Sequence, residues 1–237
     1  MPSRNASFVK GHTMRLDDYR FDGPGDIGSA EKPSTWLCGI EFGDSENTNP
    51  ALVAEEGFSV EKQWGYPGGY NRKAHKLLCC IEGYPISEAF EFAKERSIFA
   101  SPDCGYMLTN LSPENCLTVD TWSAEAQERT GFASKADYIA YVRNVCFKTM
   151  RAQVKEHRPK LFIGVGVTHE RDFVSIASEP EIKCELAEFK VGNHTKRIRL
   201  YPGETPLAVV PHLTSAGGLN SNESIEMTGK IIRERLL

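Results

Sequence analysis

The chain has 237 residues, 40% of them apolar and 25% charged, with a formal net charge of −4 at pH 7. That length suits one sizeable α/β domain, and the composition is that of an ordinary globule. No global positive field draws it onto nucleic acid or anionic lipid, no apolar run reaches membrane-spanning length, and the opening MPSRNASFVKGHTMRLDDYRF holds no apolar signal core.

Residues 1–34 are polar and rich in Gly and Pro, which predicts an extended arm lying on a single domain of residues 35–237. Residues 35–41 read as a buried strand. Residues 44–69 read as a long loop, with at most one short strand near FSVEKQW. In YNRKAHKLLCCIEGY, Ala74, Leu77, Leu78 and Ile81 fall at helical spacing, and Gly83 stands where a helix would stop. A second helix is expected over 87–97 with Ser87 as its N-cap, then a short strand, GYMLTN, over 105–110. The longest helix is expected over 135–157, capped by Ser134, with Tyr138, Val142, Val145, Met150 and Val154 as its apolar stripe. KLFIGVG (160–166) has the continuous apolar character of a buried strand, and a helix over 168–177 follows. ELAEFKVGNHTKRIRLYP reads as a hairpin turning at Gly192–Asn193, and PLAVVPH (206–212) as a further buried strand. The chain closes in a helix, with Asn220 and Glu223 spaced as a capping box.

The seven cysteines are odd in number and form no C-x-x-C pair. They read as reduced thiols of a cytoplasmic protein, with no cysteine-held zinc or iron–sulfur group.

Short apolar strands alternating with helices predict a three-layer α/β/α sandwich around a central, mostly parallel four-stranded sheet. Ligands of such sheets sit outside the carboxyl ends of the strands. Three ends carry chemistry. Glu41 follows Gly39–Ile40 and precedes Phe42–Gly43. Its carboxylate either orients water and offsets a developing cation, or is a loop acid bonded to an amide or arginine. Asn110 either reads the edge of a nucleobase or makes a turn before Ser112–Pro113. His212 either bonds an oxyanion as a leaving group departs or simply ends a strand, with His169, His75 and His194 as rivals.

In this order the pieces resemble the uracil-DNA glycosylase superfamily over about residues 35–235. The family's first motif is a strand followed by Gly-x-(Asp/Asn/Ala)-Pro-(Gly/Tyr), read GINPG in the mismatch-specific uracil/thymine branch. Gly39-Ile40-Glu41-Phe42-Gly43 is similar to it. That branch continues with a helix opening on Asn-Arg, here Asn71–Arg72, and several branches have a strand ending in an Asn that reads uracil, here Asn110. The family's last motif, His-Pro-Ser-Pro or a relaxed variant, looks like PHLTSAGGLN, which carries its histidine onto His212 and its intercalating loop onto Ser215–Leu219. Phe42 stands in place of the motif's Pro, Glu41 is one methylene longer than the Asp of the most active branch, and Pro211 precedes His212 where the family's Pro follows.

The resemblance implies a uracil-DNA glycosylase-like fold and hydrolysis of a nucleobase N-glycosidic bond in DNA repair. Glu41 would orient water, His212 would stabilise the leaving base, and Asn110, Phe42 and Tyr70 would bind the base. Gly39, Gly43, Asn71, Arg72, Thr214, Ser215, Gly217 and Leu219 would meet the nucleic-acid backbone. Arg72, Lys73 and the hairpin cations Lys190, Lys196, Arg197 and Arg199 would contact phosphates, the alternative for the hairpin being a solvated face. The partner would be single- or double-stranded DNA or a nucleobase-containing ligand, with no cofactor, no metal and no membrane. Two other readings stand beside this one. One is a catalytically silent relative that binds a nucleotide, nucleic acid or protein. The other is a metal-dependent α/β hydrolase using Glu41, Asp44 and Glu46.

Overall fold

The computed structural model describes residues 21, 23–41, 58–66, 69–114 and 121–237. Its centre is a six-stranded mixed sheet in the order β2-β1-β3-β6-β5-β4. The strands are β1 (Thr35–Gly39), β2 (Tyr106–Asn110), β3 (Leu161–Val165), β4 (Glu185–Val191), β5 (His194–Tyr201) and β6 (Leu207–Val210). Strands β2, β1, β3 and β6 run parallel. The expected four-stranded sheet is therefore corrected to six strands. The hairpin of β4 and β5 joins it, because β5 pairs antiparallel with β6 through Arg199 opposite Val209 and Tyr201 opposite Leu207.

The parallel strands are buried on both faces, which explains their unbroken apolar runs. Side chains alternate between two cores. Leu37, Leu108, Ile163 and Val210 enter one, and Trp36, Met107, Phe162 and Val209 enter the other. The first core is covered by α2 (Tyr70–Ile81), α3 (Ala89–Glu95) and the C-terminal helix α8 (Asn222–Leu236). Helices α2 and α8 pack so closely that a Cβ on Gly229 would stand 2.5 Å from the Cβ of Cys80. The second core is covered by α5 (Lys135–Tyr141), α6 (Phe147–His157) and α7 (Glu170–Ala177). Two short helices, α1 (Val60–Gly65) and α4 (Ala124–Thr130), lie in the connections.

The described part of the N-terminal arm lies along the outer edge of β2. Leu108 donates to Pro24 O, Asp26 donates to Tyr106 O, and Phe21 is buried in the second core. Residues 1–20 and 22 lie outside the described residues.

Four local expectations are corrected. FSVEKQW is not a strand: Ser59 caps α1 by accepting from Lys62 N, and buried Gln63 donates to the carbonyls of Phe58 and Ile98. Ser87 caps nothing, because a 3₁₀ turn over Ile86–Glu88 precedes α3. The helix over 135–157 is interrupted by a π-helical turn, Val142–Cys146. The extra residue shifts the stripe, so Cys146 and Phe147 are buried where Val145 was expected. The capping box of α8 is formed by Ser221 and Ser224, one residue later than Asn220 and Glu223. The helix over 70–81, the strand β3 and the two-residue turn at Gly192–Asn193 stand as the sequence predicts.

Candidate functional site

The carboxyl ends of the parallel strands lie on one rim of the sheet. The pairing of β1 and β2 continues past the strands: Leu111 donates to Gly39 O at 3.0 Å and Ser112 to Ile40 O at 2.9 Å. Asn110, the last residue of β2, is buried and opposite Gly39 in register. Its amide Oδ1 lies where Gly39 has no side chain, 2.3 Å from the position a Cβ would take. The hydroxyl of Tyr70 is 3.2 Å from the same position. Any larger residue at 39 would drive the Asn110 amide away and crowd the Tyr70 hydroxyl.

Tyr70 is the first residue of α2 and links two strand ends. Its hydroxyl points to Gly39, and its ring lies 5.7 Å from the ring of His212, just past β6. The structure thus brings Gly39, Asn110, Tyr70 and His212 together from three strand ends and one helix start. Burial pushes the Tyr70 phenol far above its ordinary value, so it stays protonated. Its oxygen is buried and has no hydrogen-bond partner among the described residues.

His212 is half-buried. Its Nδ1 accepts from the backbone N–H of Thr214 at 3.2 Å. In the neutral ring the proton is then on Nε2, which is a donor. Burial, and secondarily the charge of Lys73, lower its pKa below the usual histidine value. The site therefore holds neutral donors around neutral pH, the Nε2–H of His212 and the phenol of Tyr70, beside the buried amide of Asn110.

The loop after β6 is closed on itself. Leu219 N donates to His212 O, and Gly218 N donates to Ser215 O. The Nζ of Lys196, on the inward face of β5, donates to the carbonyls of Gly217 at 3.1 Å and Gly218 at 2.7 Å. Lys196 is buried, so its expected phosphate contact is corrected to a loop clamp. Leu219 is wholly buried in the first core, so its side chain packs the fold and cannot serve as a wedge. Ser215 and Gly217 are exposed, as are Arg72 and Lys190, and Asn71 is half-buried in the first turn of α2. Arg197 pairs with Glu188 and Arg199 with Glu170, so these two hairpin cations are held by carboxylates.

Glu41 is at the end of β1, and its carboxylate is held by the ammonium of Lys135, the first residue of α5, at 2.9 and 3.2 Å. Both side chains are largely buried, at 8% and 16% exposure. Sequence reasoning missed Lys135, which lies 94 residues from its partner and has no local signal. It also left His169 as a bare rival. The structure places that ring beside Asp172, Nδ1 to Oδ2 at 3.2 Å, with Arg143 forked onto the same carboxylate at 2.9 Å. Burial opposes ionisation of Asp172, but His169 and Arg143 outweigh it and hold the carboxyl below its usual range. The i, i+3 spacing of His169 and Asp172 was the available signal. His75 is fully buried between Trp64 and Phe99, and His194 is exposed at the hairpin turn.

Phe42, Gly43, Asp44 and Glu46 lie outside the described residues. Among the described residues no three carboxylates, histidines or cysteines form a group that could hold a metal. No described helix is long and apolar enough to cross a membrane. No protein-family model matches the chain, and no curated protein matches it.

Proposed function

We propose that the chain is a uracil-DNA glycosylase-like hydrolase of a nucleobase N-glycosidic bond, built as a three-layer α/β/α domain over residues 35–237. The observation that carries the reading is the meeting of Asn110, Tyr70 and His212 at the carboxyl rim over a residue, Gly39, that has no side chain. A planar base with polar edges suits that arrangement: Asn110 can donate and accept along one edge, and His212 can donate Nε2–H to an exocyclic oxygen.

Cleavage of the bond leaves its electron pair on the base and positive charge on the sugar. A neutral imidazole that donates to the base oxygen stabilises that anion without first losing a proton. The carboxylate of Glu41, just past the end of β1, offsets the sugar's charge and orients the water that adds to it. The exposed Arg72 and Ser215 flank the rim where a phosphate backbone would run. DNA is accordingly the proposed partner, within a cytoplasmic repair role.

One observation favours a second reading, a silent relative that binds a nucleobase-containing ligand without turnover. Glu41 is already matched by Lys135, and a carboxylate so held is a poor acceptor for the proton of water. Incubation with single- and double-stranded uracil-containing oligonucleotides at low salt, with free uracil measured by chromatography, separates the two. Release of uracil supports the hydrolase. Binding without release supports the silent relative, and neither binding nor release removes both.

A further inference from the structure

We infer that the hydroxyl of Tyr70 is a specificity-determining group, donating a hydrogen bond to an exocyclic oxygen of the base bound at the rim. The inference rests on the proposed function and goes beyond it by assigning the phenol edge, rather than the ring face, to recognition.

Buried polar groups in folded proteins nearly always find partners, and one that does not costs stability. The Tyr70 oxygen is such an exception. The ring alone would be supplied equally well by phenylalanine, so packing does not explain the oxygen. The ring already lies against His212, tilted by 47°. What the oxygen faces is the bare backbone of Gly39 beside the Asn110 amide. Since burial keeps the phenol protonated, it offers a proton at that point, and no described residue takes it. An exocyclic oxygen on the edge that Asn110 reads would also accept from the phenol, while the second exocyclic oxygen of the base meets the Nε2–H of His212. A site built around a donor rejects analogues that leave it unmatched far more strongly than an apolar wall does.

The test compares wild type with Tyr70→Phe for free uracil, pyrimidin-2-one and pyrimidin-4-one, each of the latter lacking one exocyclic oxygen. Binding is read by NMR titration and stability by thermal unfolding. Tyr70→Phe is expected to unfold at the same or a higher temperature, since it removes an unmatched buried oxygen. It is also expected to bind uracil about tenfold more weakly and to lose the wild-type preference for uracil over one of the two pyrimidinones. Wild-type binding of uracil that Tyr70→Phe retains in full, with the same preference, overturns this inference and leaves the proposed function standing. A clear drop in unfolding temperature would show that the hydroxyl has a partner within the protein and would also overturn it. Absence of uracil binding by the wild type would overturn the proposed function, and this inference with it.

Discussion

Replacing Lys196 with methionine tests how the loop that carries His212 is held. The stem of Lys196 lies on the inward face of β5 beside Ile198 and Leu200, and only 6% of the residue is exposed. Methionine keeps most of that packing but removes the bonds to the carbonyls of Gly217 and Gly218. Hydrogen bonds from a charged donor contribute about 1.5–3 kcal/mol each, and two from one ammonium share its desolvation, so Lys196→Met is expected to cost about 2–4 kcal/mol. In a domain of this size each kcal/mol lowers Tm by about 2–4 °C, which gives a fall of roughly 5–15 °C. Urea and thermal unfolding followed by circular dichroism measure the cost. Lys190→Met, at an exposed position of the same hairpin, serves as the control and should change stability by no more than about 0.5 kcal/mol. Amide hydrogen exchange over residues 213–219 should quicken in Lys196→Met alone. If Lys196→Met lies within about 0.5 kcal/mol of wild type, the clamp is refuted and the loop is held by its own backbone bonds.

Burial of His75, whose ring nitrogens have no hydrogen-bond partner among the described residues, lowers its pKa to about 4. The unfolded chain therefore takes up the proton first, and stability should fall as pH drops from about 6.5 towards 4, by about 3 kcal/mol at most. His212 is shifted in the same direction and adds to the slope. His75→Leu should flatten the slope over that window, as urea unfolding at a series of pH values would show. In Gly39→Ala the new Cβ would stand 2.3 Å from Asn110 Oδ1, forcing the amide to move. The expected result is about 1–3 kcal/mol of destabilisation together with lost uracil binding, read by calorimetry on the purified variant.

The strands were the most legible part of the sequence, because a strand buried on both faces must be apolar throughout, as in TWLC and LFIGV. The hairpin was legible from Gly192–Asn193 and the strand beside it from PLAVVPH, but the pairing of the two was not. Pairing of Arg199 with Val209 is a tertiary choice with no local pattern, and that choice turned four strands into six. The π turn at Val142–Cys146 was hidden because one extra residue leaves the apolar content of a helix unchanged and moves only its phase. In the site, strand ends pointed to Glu41, Asn110 and His212, since the direction of a parallel sheet fixes where ligands lie. Their partners were not legible. Lys135 reaches Glu41 from α5, and Lys196 looked like one more surface cation of a basic hairpin until burial turned it inward. The role of Gly39 depends on what stands opposite it, and only the register of β1 with β2 reveals that.

The central claim is that neutral His212 and the carboxylate of Glu41 share the work of breaking an N-glycosidic bond. Its most direct test is the rate of uracil release by wild type, His212→Ala and Glu41→Gln under single-turnover conditions, with oligonucleotide binding measured on the same preparations. The account predicts release by the wild type, with losses of about 10²-fold or more in each variant and binding retained. Release by His212→Ala at the wild-type rate would contradict it.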